Sequence, residues 1–133
     1  MVRKRRQAVT DAELAVLKIL WERGPLTARV IAEEVYPGGA ESEFAAIHSF
    51  LQRLERKGLV GRDRSSFVHV FSARCTQADV AGEELKTLAQ RLGQNSLAPL
   101  IMQLIAQKGL TRKELAELRK LLDEHSRSGA RHE

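Results

Sequence analysis

Residues 43–56 contain the side chains best suited to chemical recognition, and they are small or polar where a helix would expose them. These candidates are Ala45, Ala46, His48, Ser49, Gln52 and Arg53. Hydroxyl, imidazole and amide groups can hydrogen-bond to base edges, an arginine can reach guanine or phosphate, and alanines let a backbone approach closely. Glu43 can only accept a hydrogen bond, for instance from cytosine. The pattern favours DNA recognition, although the solvated side of any amphipathic helix has a similar composition.

The other reactive side chains show no arrangement typical of catalysis or metal binding. The four histidines are scattered, and the single cysteine, Cys75, supplies neither a ligand spacing nor an internal disulfide. Cys75 follows Arg74, which could favour a thiolate and a redox switch, but a lone cysteine is more typical of a small core residue. The sequence therefore predicts no enzyme, no metal and no cofactor.

Three helices are predicted to position the candidate residues. They cover about residues 11–23, 28–35 and 43–57. Apolar residues recur at helical spacing in each, and Thr10 with Glu13 has the spacing of a capping box at the start of the first. The third helix should start after Ser42 and end where Gly58 adopts a left-handed conformation.

A β-hairpin is predicted after the third helix. Residues 59–66 and 67–72 alternate as two strands around a polar turn, with Phe67 and Phe71 on one face. Three short helices followed by a hairpin is the order of a winged helix-turn-helix, in which the third helix enters the major groove. Phosphate contacts are then expected at the tip of the hairpin, the wing, and at the start of the second helix. These candidates are Thr27, Arg29, Arg64, Ser65 and Ser66.

The fold class is thus mainly α with a small β-hairpin wing: a winged helix-turn-helix over residues 1–75 and a helical dimerisation domain over 76–126. A disordered tail is expected over 127–133. The three C-terminal helices carry no aromatic residue and are too short to bury a core of their own. A second copy of the chain would cover their apolar stripes; the alternative is packing on the N-terminal domain of the same chain. The predicted interface comprises Leu85, Leu88, Leu92, Leu97, Leu100, Ile101, Leu104, Ile105, Leu115, Leu118, Leu121 and Leu122.

Charge and composition are consistent with a double-stranded DNA partner. Of the net charge of +5, residues 1–75 contribute +4 and residues 76–133 contribute +1, with clusters at Arg3–Arg6 and from Arg53 to Arg74. An ordinary solvated surface with basic chain ends would show the same distribution of charge. No apolar stretch is long enough to span a membrane, and the N-terminus lacks an apolar signal core, which predicts a cytoplasmic protein without a membrane partner.

Three parts of the chain resemble the penicillinase repressor family of transcriptional regulators. Residues 10–21 are similar to the first helix of the family, with its acidic start and terminal tryptophan. Residues 51–60 resemble the exit of its recognition helix into the wing, and residues 95–97 with 109–122 resemble its dimerisation tail. The resemblance implies a homodimeric repressor of an inverted-repeat operator, together with a sensor or protease that inactivates it.

The sequence departs from this family at three places. A Thr-Val or Thr-Ile pair often enters the third helix, where this chain has Ala46-Ile47, so its base preference is expected to differ. The Asn-Phe bond at which penicillin-responsive members are cleaved aligns with Gln103-Leu104. The paired cysteines of copper-responsive members have no counterpart, which excludes that type of metal sensing.

Two other functions compete with repression. A winged helix can bind a protein partner instead of DNA, but such a surface more often exposes large apolar residues than the small polar ones predicted here. RNA binding would favour aromatic residues that stack on an exposed sheet, and the sequence lacks them.

Overall fold

The computed structural model describes residues 8–93, 95–107 and 109–130, and the chain divides into two compact units between Thr87 and Leu88. The elements in chain order are α1 (Asp11–Arg23), β1 (Leu26–Thr27), α2 (Ala28–Val35), α3 (Glu41–Arg56), β2 (Val60–Asp63), β3 (Val70–Ala73), α4 (Gln77–Arg91), α5 (Ala98–Ala106) and α6 (Arg112–Ala130). None of the described helices is both long and apolar enough to cross a membrane. The basic residues Arg3–Arg6 lie outside the described part of the chain.

One apolar core holds α1, α2, α3 and the sheet together in the first unit. The helical residues of this core with no exposed surface are Val16, Leu17, Ile31, Ile47, Leu51 and Leu54. Buried apolar residues in each of the three helices agree with the apolar stripes predicted from the sequence. Because the stripe of α3 faces inward, the opposite face of this helix is available to solvent or a ligand.

The beginning of α4 belongs to the same core. Cys75 and Val80 are buried, and Nε1 of Trp21 donates a 2.8 Å hydrogen bond to the carbonyl oxygen of Cys75. Cys75 is therefore a core residue. The chain divides after Thr87, beyond the boundary after residue 75 that the sequence predicts, because the first turns of α4 complete the core of the first unit.

The three strands form an antiparallel sheet in the order β1-β3-β2. In β1, Leu26 pairs with Phe71 of β3. In the hairpin, Val60 lies opposite Ala73, and the pairing ends with Asp63 on β2. The winged helix-turn-helix order predicted from the sequence is confirmed.

The predicted second strand of the hairpin starts too early. β3 begins at Val70, and Phe67 and Val68 lie in the loop between the strands. Phe71 is buried whereas Phe67 is fully exposed, so the prediction that the two rings share one face is wrong. β3 pairs with β2 only from Val70 onward, three residues after Phe67. Alternation of apolar residues along the sequence cannot locate this limit of strand pairing.

Helix α3 begins at Glu41, before the predicted start after Ser42. Ala40 is the N-cap residue, and its amide donates a 3.1 Å hydrogen bond to Oε1 of Glu43, so the cap is a carboxylate from within the helix. At the other end Gly58 has φ of +79°, the left-handed conformation that was predicted.

The second unit contains the end of α4 together with α5 and α6. Thr111 and Glu114 form a capping box at the start of α6: the Thr111 amide donates to the Glu114 carboxylate at 2.9 Å, and the Glu114 amide donates to the Thr111 hydroxyl at 3.1 Å. α6 continues to Ala130, so the predicted disordered tail over 127–133 is wrong as far as that residue. The residues after Ala130 lie outside the described part of the chain.

Candidate nucleic-acid interface

The α3 residues predicted to contact base edges, here called the reading face, lie mostly on the exposed side of the helix. Ala45, His48, Ser49 and Gln52 are exposed, whereas Ala46 is half-buried. Residues three and four apart are neighbours on a helix surface, so these side chains follow one another along one face. They present donors and acceptors that can pair with base edges.

Glu43, the acid considered as an acceptor for cytosine, has a local role instead. Its carboxylate accepts the hydrogen bond from the Ala40 amide described above. A negative charge in the first turn is also stabilised by the helix dipole. The structure of α3 itself therefore accounts for an acid on a face that is otherwise suited to a polyanion.

Arg53 is oriented by a buried acid on α1. Nε of Arg53 donates a 3.1 Å hydrogen bond to Oε2 of Glu13, which is fully buried, and the guanidinium carbon lies 5.1 Å from the centre of the Phe50 ring. Nζ of Lys57 donates to the other oxygen of Glu13 at 2.6 Å. The Arg53 side chain remains 45% exposed, so its outer nitrogens can still reach a phosphate or a base.

The start of α2 carries two further candidates. Oγ1 of Thr27 accepts a 3.3 Å hydrogen bond from the amide of Val30, so this hydroxyl is the N-cap of the helix. Arg29 is exposed, and its Nε lies 3.6 Å from Oε1 of Glu33, one turn later. Surface pairs of this kind are weak, and Arg29 can exchange Glu33 for a phosphate.

The wing tip carries the last three candidates, Arg64, Ser65 and Ser66, all exposed. The amide of Ser65 donates a 2.9 Å hydrogen bond to Oδ1 of Asp63, and hydrogen bonds from Ser65 lower the pKa of the Asp63 carboxyl. The Ser66 hydroxyl donates to the carbonyl of Val68 at 2.8 Å. The serines thus shape the loop, while Arg64 gives its tip a positive charge.

Arg62 attaches the wing to α3, a role that the sequence does not reveal. Nη2 of Arg62 donates a 2.6 Å hydrogen bond to Oε1 of Glu55, and its Nη1 lies 3.4 Å from Nδ1 of His69. The guanidinium carbon is 4.7 Å from the centre of the Phe71 ring. Of the two arginines that flank the wing tip, Arg62 is therefore half-buried and Arg64 alone is exposed.

A cavity of about 420 Å³, here called the recognition cavity, separates α3 from the wing. Its lining includes Thr27 and Arg29 of the β1–α2 segment, Phe44 and His48 of α3, and Phe67 and Val68 of the wing. The predicted phosphate-binding residues at the start of α2 therefore lie next to part of the reading face. The fold brings these three regions together although they are distant in sequence.

The side chains brought together here provide hydrogen bonds and positive charge. Among residues 8–93, 95–107 and 109–130, no cluster of His, Cys, Asp or Glu is arranged to hold a metal ion. The expectation that the protein works without a metal or cofactor stays a prediction.

One protein family matches most of the chain. A family model described as "Penicillinase repressor" matches residues 9–124. The penicillinase repressor of Bacillus licheniformis is 23% identical over 117 residues, which cover 88% of this chain and 91% of the relative. That of Staphylococcus aureus is 24% identical over 119 residues, which cover 90% of this chain and 94% of the relative.

Two solved structures are similar at the same level of identity. The DNA-binding domain of the repressor BlaI is 24% identical, with a TM-score of 0.47 over 59% of this chain and 93% of that chain. The YusO protein from Bacillus subtilis is 23% identical, with a TM-score of 0.46 over 90% of this chain and 75% of that chain.

Proposed function

This chain belongs to the penicillinase repressor family, and we propose that it binds an inverted-repeat DNA operator in the cytoplasm as a homodimer, with α3 in the major groove. The family consists of transcriptional repressors, so the chain is a DNA-binding regulator and not an enzyme, as predicted. The observation that carries the finer proposal is the exposed polar face of α3 beside a cationic wing tip.

The chemistry of α3 supports its role as the reading helix. Its apolar side is occupied by the core, whereas Ser49 and Gln52 face outward, where a hydroxyl and an amide can pair with base edges. A protein partner would be expected to meet larger apolar side chains on this face. Arg29, Arg53 and Arg64 are exposed and can each neutralise a phosphate.

The small buried surface of the second unit supports a dimer. Among its described side chains, Ala89 alone is buried. Leu92, Leu121 and Leu122, all in the predicted interface, are each more than half exposed, at 57%, 54% and 61%. Apolar stripes of this length mark a binding surface, and a second copy offers the same stripes about a two-fold axis.

A cleft of about 640 Å³ in the second unit supports the same conclusion. Its apolar lining consists of Ile105, Leu115, Ala116, Leu118 and Leu122, with Arg112, Arg119 and Asp123 as its polar members. Four of these five apolar residues belong to the predicted interface. An apolar centre with charged residues around it is typical of a surface that binds another protein.

Selection from a random DNA pool tests the reading of DNA. The wild-type protein should enrich an inverted repeat whose half-sites lie about one helical turn apart. Ser49→Ala or Gln52→Ala should lower discrimination at one base pair by about 1–3 kcal/mol, because a hydrogen bond to a base edge is lost. Lys18→Ala, on the exposed side of α1, is the control and should change nothing. Enrichment of no repeat by the wild type would contradict the proposal.

Sedimentation at micromolar concentration tests the dimer. Leu122→Asp places a carboxylate in the apolar cleft and should give a monomer, because burial of an unpaired charge is costly. Lys120→Asp, an exposed position of α6 outside the lining of the cleft, should leave the dimer intact. A wild-type chain that sediments as a monomer would exclude this interface.

A further inference from the structure

The wing tip exposes an aromatic ring that the fold does not use. Phe67 is 101% exposed, the highest value among the large apolar side chains described. Its neighbour Val68 is 56% exposed. Exposing a ring of this size to water has a free-energy cost, and at 101% exposure the ring gains almost no burial from the part of the chain that the structure describes. Hydrogen bonds from Ser65 to Asp63 and from Ser66 to Val68 hold the loop that carries the ring.

The position of Phe67 relative to α3 indicates what the ring meets. Phe67 and Val68 line the wing side of the recognition cavity, and Phe44 and His48 line its α3 side. Thr27 and Arg29, the predicted phosphate contacts, also line this cavity, so the sugar–phosphate strand that borders the groove occupied by α3 fits between α3 and the wing. The wing tip then lies beyond this strand, where the minor groove begins.

We infer that Phe67 enters the minor groove beside each half-site and packs there against deoxyribose and base edges. This inference rests on the proposed function. Apolar side chains, phenylalanine among them, are the groups that minor-groove proteins insert between base steps. Arg64, exposed on the same loop, supplies the positive charge that matches the flanking phosphates.

The test compares full-length variants on the duplex that the wild type enriches. Phe67→Ser should bind roughly tenfold to a hundredfold more weakly, because the apolar burial of a phenylalanine is lost, whereas Phe67→Leu should keep most of the affinity. The salt dependence of Phe67→Ser should match the wild type, since a neutral side chain releases no counterion. Arg64→Ala, the matched variant on the same loop, should lower that slope by about one.

Hydroxyl-radical footprinting, which reports access to the sugars, locates the contact. Protection of the minor groove beside each half-site should disappear in Phe67→Ser and persist in Arg64→Ala. Both variants should unfold at the wild-type temperature, because both side chains are exposed.

If Phe67→Ser binds with wild-type affinity and footprint while Ser49→Ala still alters specificity, this inference is wrong and the proposed function stands. A change in oligomeric size of Phe67→Ser would instead assign the ring to a protein contact and also overturn it. A wild-type protein that enriches no duplex would remove the inference together with the proposed function.

Discussion

Glu13 joins α1 to the end of α3 through its buried carboxylate. Burial raises the pKa of its carboxyl, but hydrogen bonds from Lys57, Thr10 and Arg53 and the positive charge of Lys57 outweigh burial and hold the pKa below its ordinary value of 4.5. The sequence predicts Glu13 only as half of a capping box. Its partners Arg53 and Lys57 lie 40 and 44 residues away, and no local spacing predicts a contact over that separation.

Glu13→Gln should lower the free energy of unfolding by about 2–3 kcal/mol near pH 7, because Lys57 and Arg53 lose their buried counter-charge. Urea unfolding measures this loss. Glu22→Gln, at an exposed position of the same helix, is the matched control and should change stability little.

Acid should remove the advantage of wild type over Glu13→Gln. The pKa of Glu13 is lower in the folded than in the unfolded chain, so its contribution is complete above about pH 4.5 and is lost as the pH falls through the folded value. The difference in unfolding free energy between the two proteins should therefore shrink below pH 4.5. A difference that stays constant down to pH 2 would show that the carboxylate charge is not what stabilises the site.

At the level of helices and strands, the ends that carry a side-chain cap could be predicted from the sequence. α1 begins at Asp11 as predicted, because the Thr10 hydroxyl accepts the amide of Glu13 at 3.2 Å. The start of α3 was predicted less well, because its N-cap residue is Ala40, which has no capping side chain. The start of β3 depends on pairing with β1 and β2, a tertiary property that alternation within one strand does not encode.

The attachment of the wing to α3 gives a prediction at the same scale. Arg62→Met keeps an unbranched side chain of similar reach but removes the hydrogen bond to Glu55 and the contact with His69. The free energy of opening the wing should fall by about 1 kcal/mol, which should speed amide exchange in the wing roughly fivefold. The core of α3 should exchange as before.

Arg56→Met, an exposed position of α3, serves as the control for the loss of one positive charge. Equal exchange rates in the wings of wild type and Arg62→Met would mean that the hairpin holds its place without this arginine. In that case strand pairing between β2 and β3 alone would position Arg64 and Phe67.

On the scale of the whole molecule, the two units differ in how completely each buries its apolar residues. The first unit has a closed core, whereas α5 has no buried residue. Leucine spacing in the sequence was enough to predict exposed stripes in the C-terminal part. It could not show that the first turns of α4 complete the N-terminal core, because heptad-like spacing does not say which partner a helix face meets.

Truncation tests whether the second unit controls DNA affinity. A chain that ends at Thr87 keeps Cys75 and Val80 in the core together with the acceptor for the Trp21 hydrogen bond, so it should fold as a monomer. A chain that ends at Arg74 lacks these groups and should unfold at a lower urea concentration, because it loses two core side chains and the partly buried hydrogen bond from Trp21. Circular dichroism during urea titration distinguishes the two.

The folded truncation should bind the operator about 10²–10⁴-fold more weakly than the full chain, although every proposed DNA-contacting residue is retained. In the proposed dimer, binding of the first reading helix makes the second contact intramolecular, and the monomer loses this gain in effective concentration. Fluorescence anisotropy on the full operator and on an isolated half-site measures the effect: the truncated chain should bind both with similar affinity, whereas the full chain should prefer the complete repeat. Any signal that cleaves or loosens the second unit would then release the operator. Equal affinity of the truncated and full chains for the complete repeat would show that the second unit does not control repression.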